Sequence, residues 1–334
     1  MDIPAFKTFS SGLPKLSGLQ VRKLLAQLDR LDSNLQALTA LEQSSEARPA
    51  CPYCHNHKTV CWGQTRTGLQ RRRCKECLKT FCATTGTTLS GVHKPGLFYK
   101  VLQNMFGDAP LSCRRLALKL SLNRMTIWRW RQKILQALAN IDKKQLGGIL
   151  EADEKFFRES RKGSREWVNH QKYPDKFPKP ERPRWRDYRR LGLPFPGGLS
   201  RFQIPVLTVI NRTGNASADV LPNHLAETLT ATLPHHVAAD AMLCSDGDPA
   251  FSQFAVAHSV THYALNATKG TRIIGNAFHI QTVNSLHDRF ERFMSPFRGS
   301  ATKYLKGYTA WFITRSVHNT KNAISRTWQA ILAA

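Results

Sequence analysis

Val21, Leu24, Leu28, Leu31, Leu35 and Leu38 recur at alternating steps of three and four, the apolar stripe of a helix. Asp32-Ser33-Asn34 inside this stretch reads as a helix-capping cluster, which predicts two short helices packed as a hairpin. The alternative is one long helix that dimerises as a short coiled coil. From Ser44 the pattern turns polar and reaches Pro49, and a cysteine-rich block follows from Cys51 to Cys82. Leu111 to Leu138 is helical in period. From Gln145 an apolar strand-like run begins, and strand and helix signals alternate to the end without internal repeats. The pattern predicts a multidomain α+β chain: a helical segment over 1–46, a small cysteine-rich domain over 50–90, a helical pair over 91–143 and an α/β domain over 146–325.

Composition narrows the partners. The 334 residues are 41% hydrophobic, enough for a buried core, and exclude a disordered chain. Lys and Arg number 49 against 23 Asp and Glu, a formal charge of +26 that calls for a polyanionic partner. No run approaches the roughly 18 apolar residues of a membrane span, and the start, Met-Asp-Ile-Pro-Ala-Phe-Lys, lacks the shape of a signal peptide. A cytosolic chain that binds nucleic acid, with no membrane partner, is the expectation. A basic insertion at about 160–200, with Arg-Pro-Arg-Trp-Arg-Asp-Tyr-Arg-Arg at 182–190, interleaves aromatics with arginines in a way suited to bases and phosphates.

Eight cysteines in a reducing compartment point to metal rather than disulfides. Cys51-Pro-Tyr-Cys54 and Cys74-Lys-Glu-Cys77 have the spacing of a four-thiolate zinc ribbon, in which two tight turns converge on a tetrahedral ion. Four protein ligands leave no open position, so this zinc is structural. Cys61 and Cys82 read as buried apolar fillers, and His55 and His57 as surface residues. Arg71, Arg72 and Arg73 give the ribbon a positive face.

Ser112 to Leu122, then Asn123 to Arg131, reads as helix, short turn, helix. Leu116, Leu120, Ile127 and Leu135 form its inner face, while Asn123, Arg124, Thr126, Arg129 and Arg131 are types that reach phosphates and base edges from a major groove. The competing reading is an ordinary helical pair with a basic side.

Three polar positions follow. Asp153 interrupts the apolar alternation of a strand, with Glu151 on its face and Glu154 on the opposite one. Asp246 ends the apolar run Ala241 to Ser245 before Gly247-Asp248. In the helix after Phe278, Asn284, His287, Asp288 and Glu291 fall on one face. If that face meets Asp153 and Asp246, the set suits hard divalent cations in phosphodiester chemistry; a salt bridge, a turn and a polar surface helix are the bland alternatives. A zinc hydrolase is disfavoured because no HExxH helix is present and His235-His236 lacks a third ligand; those histidines read as loop residues.

The ordered set of CPYC, CKEC, a helix-turn-helix, EADE, SDGD and HIQTVNSLHDRFERF followed by FRGSATKYLKGY resembles bacterial insertion-sequence transposases of the ISXO-two-like group, the IS fifteen-ninety-five family. The resemblance spans about residues 15–315 and is poorest in the basic insertion. It implies an RNase H-like catalytic core with Asp153, Asp246 and Asn284 as an Asp-Asp-Asn site for Mg2+ or Mn2+. The group commonly has Lys seven residues after the third position; here Glu291 stands there, with Arg292 beside it as a substitute phosphate contact or Glu291 itself as a ligand. The implied protein binds terminal inverted repeats and target DNA in the bacterial cytoplasm, at the nucleoid, as a dimer or higher oligomer on paired ends. The rival reading is a transposase-derived DNA-binding regulator without catalysis.

Overall fold

The computed structural model describes residues 2–46, 50–180, 189, 190, 192, 202–266 and 270–333. The chain divides into two compact units, residues 1–140 with 320–334, and residues 141–319.

In the first unit, helix α1 (Ile3–Gly12) starts at Asp2, whose side chain accepts the Ala5 N–H. Helix α2 then runs without a break from Gly18 to Glu46. This corrects the expected hairpin. Asp32, Ser33 and Asn34 lie inside the helix, and Ser33 returns its hydroxyl to the Asp29 carbonyl at 2.9 Å instead of capping a new start. Packing decides the matter: Ser33, Ala37 and Leu41 are buried on one side of α2, which packs on α3 (Pro95–Phe106). Gly96 permits that approach, since a Cβ there would lie 2.6 Å from the Asn34 Cα.

Strands β1 (Thr59–Gln64), β2 (Gln70–Cys74) and β3 (Thr80–Cys82) form an antiparallel sheet in that order. Helix α4 (Cys113–Leu120) is capped by Ser112, and α5 (Arg124–Ala139) by Asn123. Ser121, in the left-handed region at φ 52°, makes the turn between them. Leu116, Leu120, Ile127 and Leu135 are buried, as the inner face requires. The C-terminal helix Thr320–Ala333 packs on α3 and α5, with Phe98 between Trp130 (5.6 Å) and Trp328 (6.4 Å).

The second unit holds a five-stranded mixed sheet. Its strands are β4 (Ile149–Arg158), β5 (Gln203–Asn211), β6 (Ala216–Val220), β7 (Met242–Ser245) and β8 (Thr261–Ala264), in the order β6-β5-β4-β7-β8. β4, β5 and β6 are antiparallel neighbours, whereas β7 and β8 run parallel to β4. Its helices are α6 (Glu166–Lys172), α7 (Ala226–Thr232), α8 (Pro249–His258), α9 (Gln281–Met294) and α10 (Leu305–Val317). Period-two alternation along β4 sorts the layers. Leu150 and Ala152 join Leu229 of α7 and Phe251 and Phe254 of α8 in one core. Phe157 packs on the opposite side with Val283, Leu286 and Phe290 of α9 and Phe312 of α10.

His236 corrects another expectation. It is fully buried, with Nδ1 2.8 Å from Ser217 Oγ and Nε2 2.9 Å from Asp219 Oδ2, and so ties the segment after α7 to β6.

Candidate functional site

Asp153 and Asp246 are brought level by strand register. β4 and β7 pair in parallel at Ile149 with Met242, Leu150 with Leu243 and Glu151 with Cys244. Two residues further along each chain stand Asp153 and Asp246, just past the last rung. At that point β7 gives way to the turn that starts α8. Asp246 Oδ1 accepts the Asp248 N–H at 3.1 Å, and Asp248 in turn caps α8 by accepting the Ala250 N–H at 2.8 Å. Ser245 Oγ donates to the Asp246 carbonyl and meets His262 Nε2, each at 2.9 Å, so β8 steadies the same turn.

The electrostatics are those of crowded carboxylates. Burial, helped by the charge of Asp246, pushes the Asp153 carboxyl up to about 6, against the opposing pull of the Glu154 N–H and Lys155. Burial, followed by the charges of Asp248, Asp153 and Asp246, raises Glu154 to about 7. Glu154 Oε1 is buried with no hydrogen-bond partner among the described residues. A cation beside Asp153 and Asp246 would relieve the repulsion between them.

Helix α9 supplies the other side. Its first turn has no side-chain cap of its own. Instead Glu151, 1% exposed, reaches from β4, and its Oε2 accepts the N–H groups of Thr282 at 2.7 Å and Val283 at 2.9 Å. Arg212 closes on Glu151 Oε1, and His279 Nδ1 lies 3.2 Å from the same atom. Thus β4 contributes one carboxylate to hold α9 and, two residues on, another to face it.

The polar face expected on α9 is divided by burial. His287 is buried and stands with Nδ1 3.5 Å from Asp153 Oδ2, while Asn284, Asp288, Glu291 and Arg292 are exposed. Burial, with Lys155 nearby, lowers His287 to about 4 despite Asp288, so the ring is neutral at pH 7. Glu291 Oε2 pairs with Lys155 Nζ at 2.9 Å, which holds that carboxyl below its usual range. Glu291 is therefore engaged by a lysine of β4. Asn284 lies one helical turn before His287 and is exposed. The sequence places Glu151, Glu154 and His287 by the alternation of β4 and the helical period of α9 but assigns them no role at the site, and Lys155 carries no local signal.

In the ribbon, Cys51, Cys54, Cys74 and Cys77 present Sγ atoms all within 4.8 Å of one another. The pairs Cys51 with Cys77 and Cys54 with Cys74 are each 3.6 Å apart. A tetrahedron with zinc–sulfur bonds of about 2.3 Å has edges near 3.8 Å, so the thiols fit a zinc ion. His55 and Leu78, just after each pair, take left-handed φ values of 57° and 58°. Among the described residues these cysteines are the group of three or more His, Cys, Asp or Glu ligand atoms so gathered. Cys61 is exposed rather than a filler, and Cys82 hydrogen-bonds Thr84 and Thr85. Arg73 lies 4.6 Å over the exposed ring of Trp62 and Arg71 bonds Thr80 Oγ1 at 3.2 Å, with Arg72 between them partly exposed.

On α5, Arg124 and Arg129 are exposed and Thr126 is half-buried. Asn123 spends its side chain on the Met125 N–H at 2.8 Å as the helix cap. Arg131 departs from expectation. It is 6% exposed and donates to the Leu111 carbonyl and to Asn104 Oδ1, so it braces the chain before α4 and does not face DNA. The basic run 182–190 lies mostly outside the described residues. No described helix is long and apolar enough to cross a membrane.

No family model and no curated protein matches this chain. Among solved structures, a pre-cleavage Mos1 transpososome is similar over 69% of this chain and 78% of that chain, at 11% identity and a TM-score of 0.19. A likeness of that degree carries no argument about function.

Proposed function

We propose that this protein is a metal-dependent DNA transposase with an RNase H-like core. The observation that carries the reading is the level placement of Asp153 and Asp246 on adjacent parallel strands, where their charges work against each other. The strand order, three antiparallel strands extended by two parallel ones with helices on both faces, supports the RNase H-like reading.

In this reading Asp153 and Asp246 would hold Mg2+ or Mn2+, with the carbonyl oxygen of Asn284 as the third donor. The bound metal supplies activation of water or of a 3′ hydroxyl and charge stabilisation at the phosphodiester. The protein's own groups orient and exclude. Glu151 anchors α9 so that His287, neutral at pH 7, backs Asp153. Lys155 brings a positive charge beside Glu291, where the resemblance expects a lysine on the helix itself, and so supplies the phosphate-holding cation from β4. Arg292, Arg124, Arg129 and the ribbon's Arg71, Arg72 and Arg73 contact the DNA backbone, with the ribbon and helical pair reading the terminal inverted repeats.

The domains follow as a helical segment over 1–46, a zinc ribbon over 50–90, a helix-turn-helix over 91–143 and the catalytic core over 146–325. A regulator without catalysis is the second reading. It is favoured by one observation: no third His, Cys, Asp or Glu among the described residues joins Asp153 and Asp246 within ligand distance.

A Mg2+-dependent cleavage and strand-transfer assay on the DNA ends flanking the gene, with Asp153→Ala beside the native chain, tests the proposal. Cleavage that vanishes in the variant while DNA binding persists is expected. Tight binding by both with cleavage by neither, in Mg2+ and in Mn2+, would transfer the assignment to the regulator.

A further inference from the structure

We infer that a stripe on the ribbon, running from Trp62 through Arg73 and Lys79 to Tyr53, is a binding site for single-stranded DNA. Trp62 on β1 and Tyr53 in the first cysteine turn are 48% and 49% exposed. Val60 pairs with Arg73 across β1 and β2, and the Arg73 guanidinium lies 4.6 Å over the Trp62 ring. Arg73 Nε also donates to the Leu78 carbonyl at 3.3 Å, which fixes the cation in place. The next residue, Lys79, sets its Nζ 4.8 Å over the Tyr53 ring. Ring, cation, cation and ring therefore follow one another along one connected path.

Each part of the stripe suits an unpaired strand. Aromatic rings take the flat face of a base, and cations between them take the phosphates. In a duplex the base faces are covered by their neighbours, so rings that offer stacking select bases outside a helix. Each cation lies over one face of its ring, and neither ring has an aromatic neighbour among the described residues. Glu76 is the single acid from Cys51 to Cys82, against seven Lys and Arg, so the phosphates of a strand meet little repulsion. The sheet is pinned by the four-cysteine cluster, which places these groups before a ligand arrives. An acidic protein surface would engage the cations but leave both rings unused.

This inference rests on the nucleic-acid reading of the ribbon and adds to it a strand type and two stacking residues, Trp62 and Tyr53. Fluorescence anisotropy of the full, zinc-loaded chain without Mg2+ should show binding of labelled oligothymidine. An abasic strand of equal length keeps the phosphates and lacks the bases, and should bind about tenfold or more weakly. Trp62→Ala should lose about tenfold toward oligothymidine while its zinc content and its affinity for duplex DNA stay native. Tyr53→Ala should act in the same direction, and Trp62→Phe, which keeps a ring, should retain most of the binding. A native chain that ignores oligothymidine, or that binds the abasic strand as tightly, overturns the inference without recourse to any variant. So does a zinc-loaded Trp62→Ala protein with native single-strand affinity. Asp153→Ala should bind oligothymidine as the native chain does, so a failure of this site and a failure of catalysis are separately visible.

Discussion

Glu151 Oε2 accepts the backbone N–H of Thr282 at 2.7 Å and thereby fastens the central strand to the start of α9. The bond joins positions 131 apart in the chain. It also explains how a helix without a cap of its own keeps its buried first turn satisfied. Glu151→Ala would strip two N–H groups of their acceptor and leave Arg212 without its counter-charge. We expect a loss of about 3 kcal/mol or more in urea unfolding, together with loss of cleavage although Asp153 and Asp246 are untouched. A variant as stable as the native chain would remove Glu151 from this role.

The ribbon should bind a single zinc ion that Cys77→Ser abolishes, because the remaining thiols no longer close a tetrahedron. Cys61→Ser, outside the cluster, should retain the metal. Zinc content by elemental analysis, followed by melting of the ribbon on chelation, checks both.

Arg129 and Arg131 sit two residues apart on α5 and should behave oppositely. Arg129→Ala should weaken DNA binding and lower the salt slope by about one, as loss of a phosphate contact does. Arg131→Ala should cost about 2 kcal/mol of folding stability, since buried acceptors at Leu111 and Asn104 lose a charged donor. Fluorescence anisotropy across salt concentrations and denaturant melts of both variants separate the two effects. Equal losses of binding at unchanged stability would return Arg131 to the DNA-facing set.

Asp219 predicts an acid limb in the stability curve. Burial alone raises its carboxyl, but the hydrogen bonds from His236 and Lys143 outweigh burial and hold it at about 2. The folded value lies below the unfolded one of about 3.9, so the stabilisation is complete above about pH 4 and disappears as pH falls toward 2. Asp219→Asn should cost about 2 kcal/mol near neutrality, and the gap in urea midpoint between variant and native chain should close as pH drops below 4. A gap of constant size down to pH 3 would contradict this account.

Legibility in the sequence followed the range of the interaction. Cys51, Cys54, Cys74 and Cys77 were readable because each pair is local and a tetrahedral site demands its spacing. The inner face of α4 and α5 was readable from its period. Misreadings fell where a local signal was overruled by a distant partner. Asp32-Ser33-Asn34 has capping chemistry, but burial against α3 continues the helix through it. Arg131 has DNA-binding chemistry, but Asn104 and Leu111 claim it.

Sequence alone determined the chain's charge, the thiol cluster, the alternation that sends Glu151 and Asp153 to one face of β4, and the apolar stripe from Val21 to Leu38, because each depends on residue type and short spacing. Tertiary structure alone decided which polar groups meet. Register between β4 and β7 sets Asp153 level with Asp246, and the Glu151 anchor turns His287 toward Asp153 and leaves Glu291 to Lys155. Those meetings depend on hydrogen-bonded registers and helix placements between segments far apart in the chain, and no local pattern of side chains encodes them.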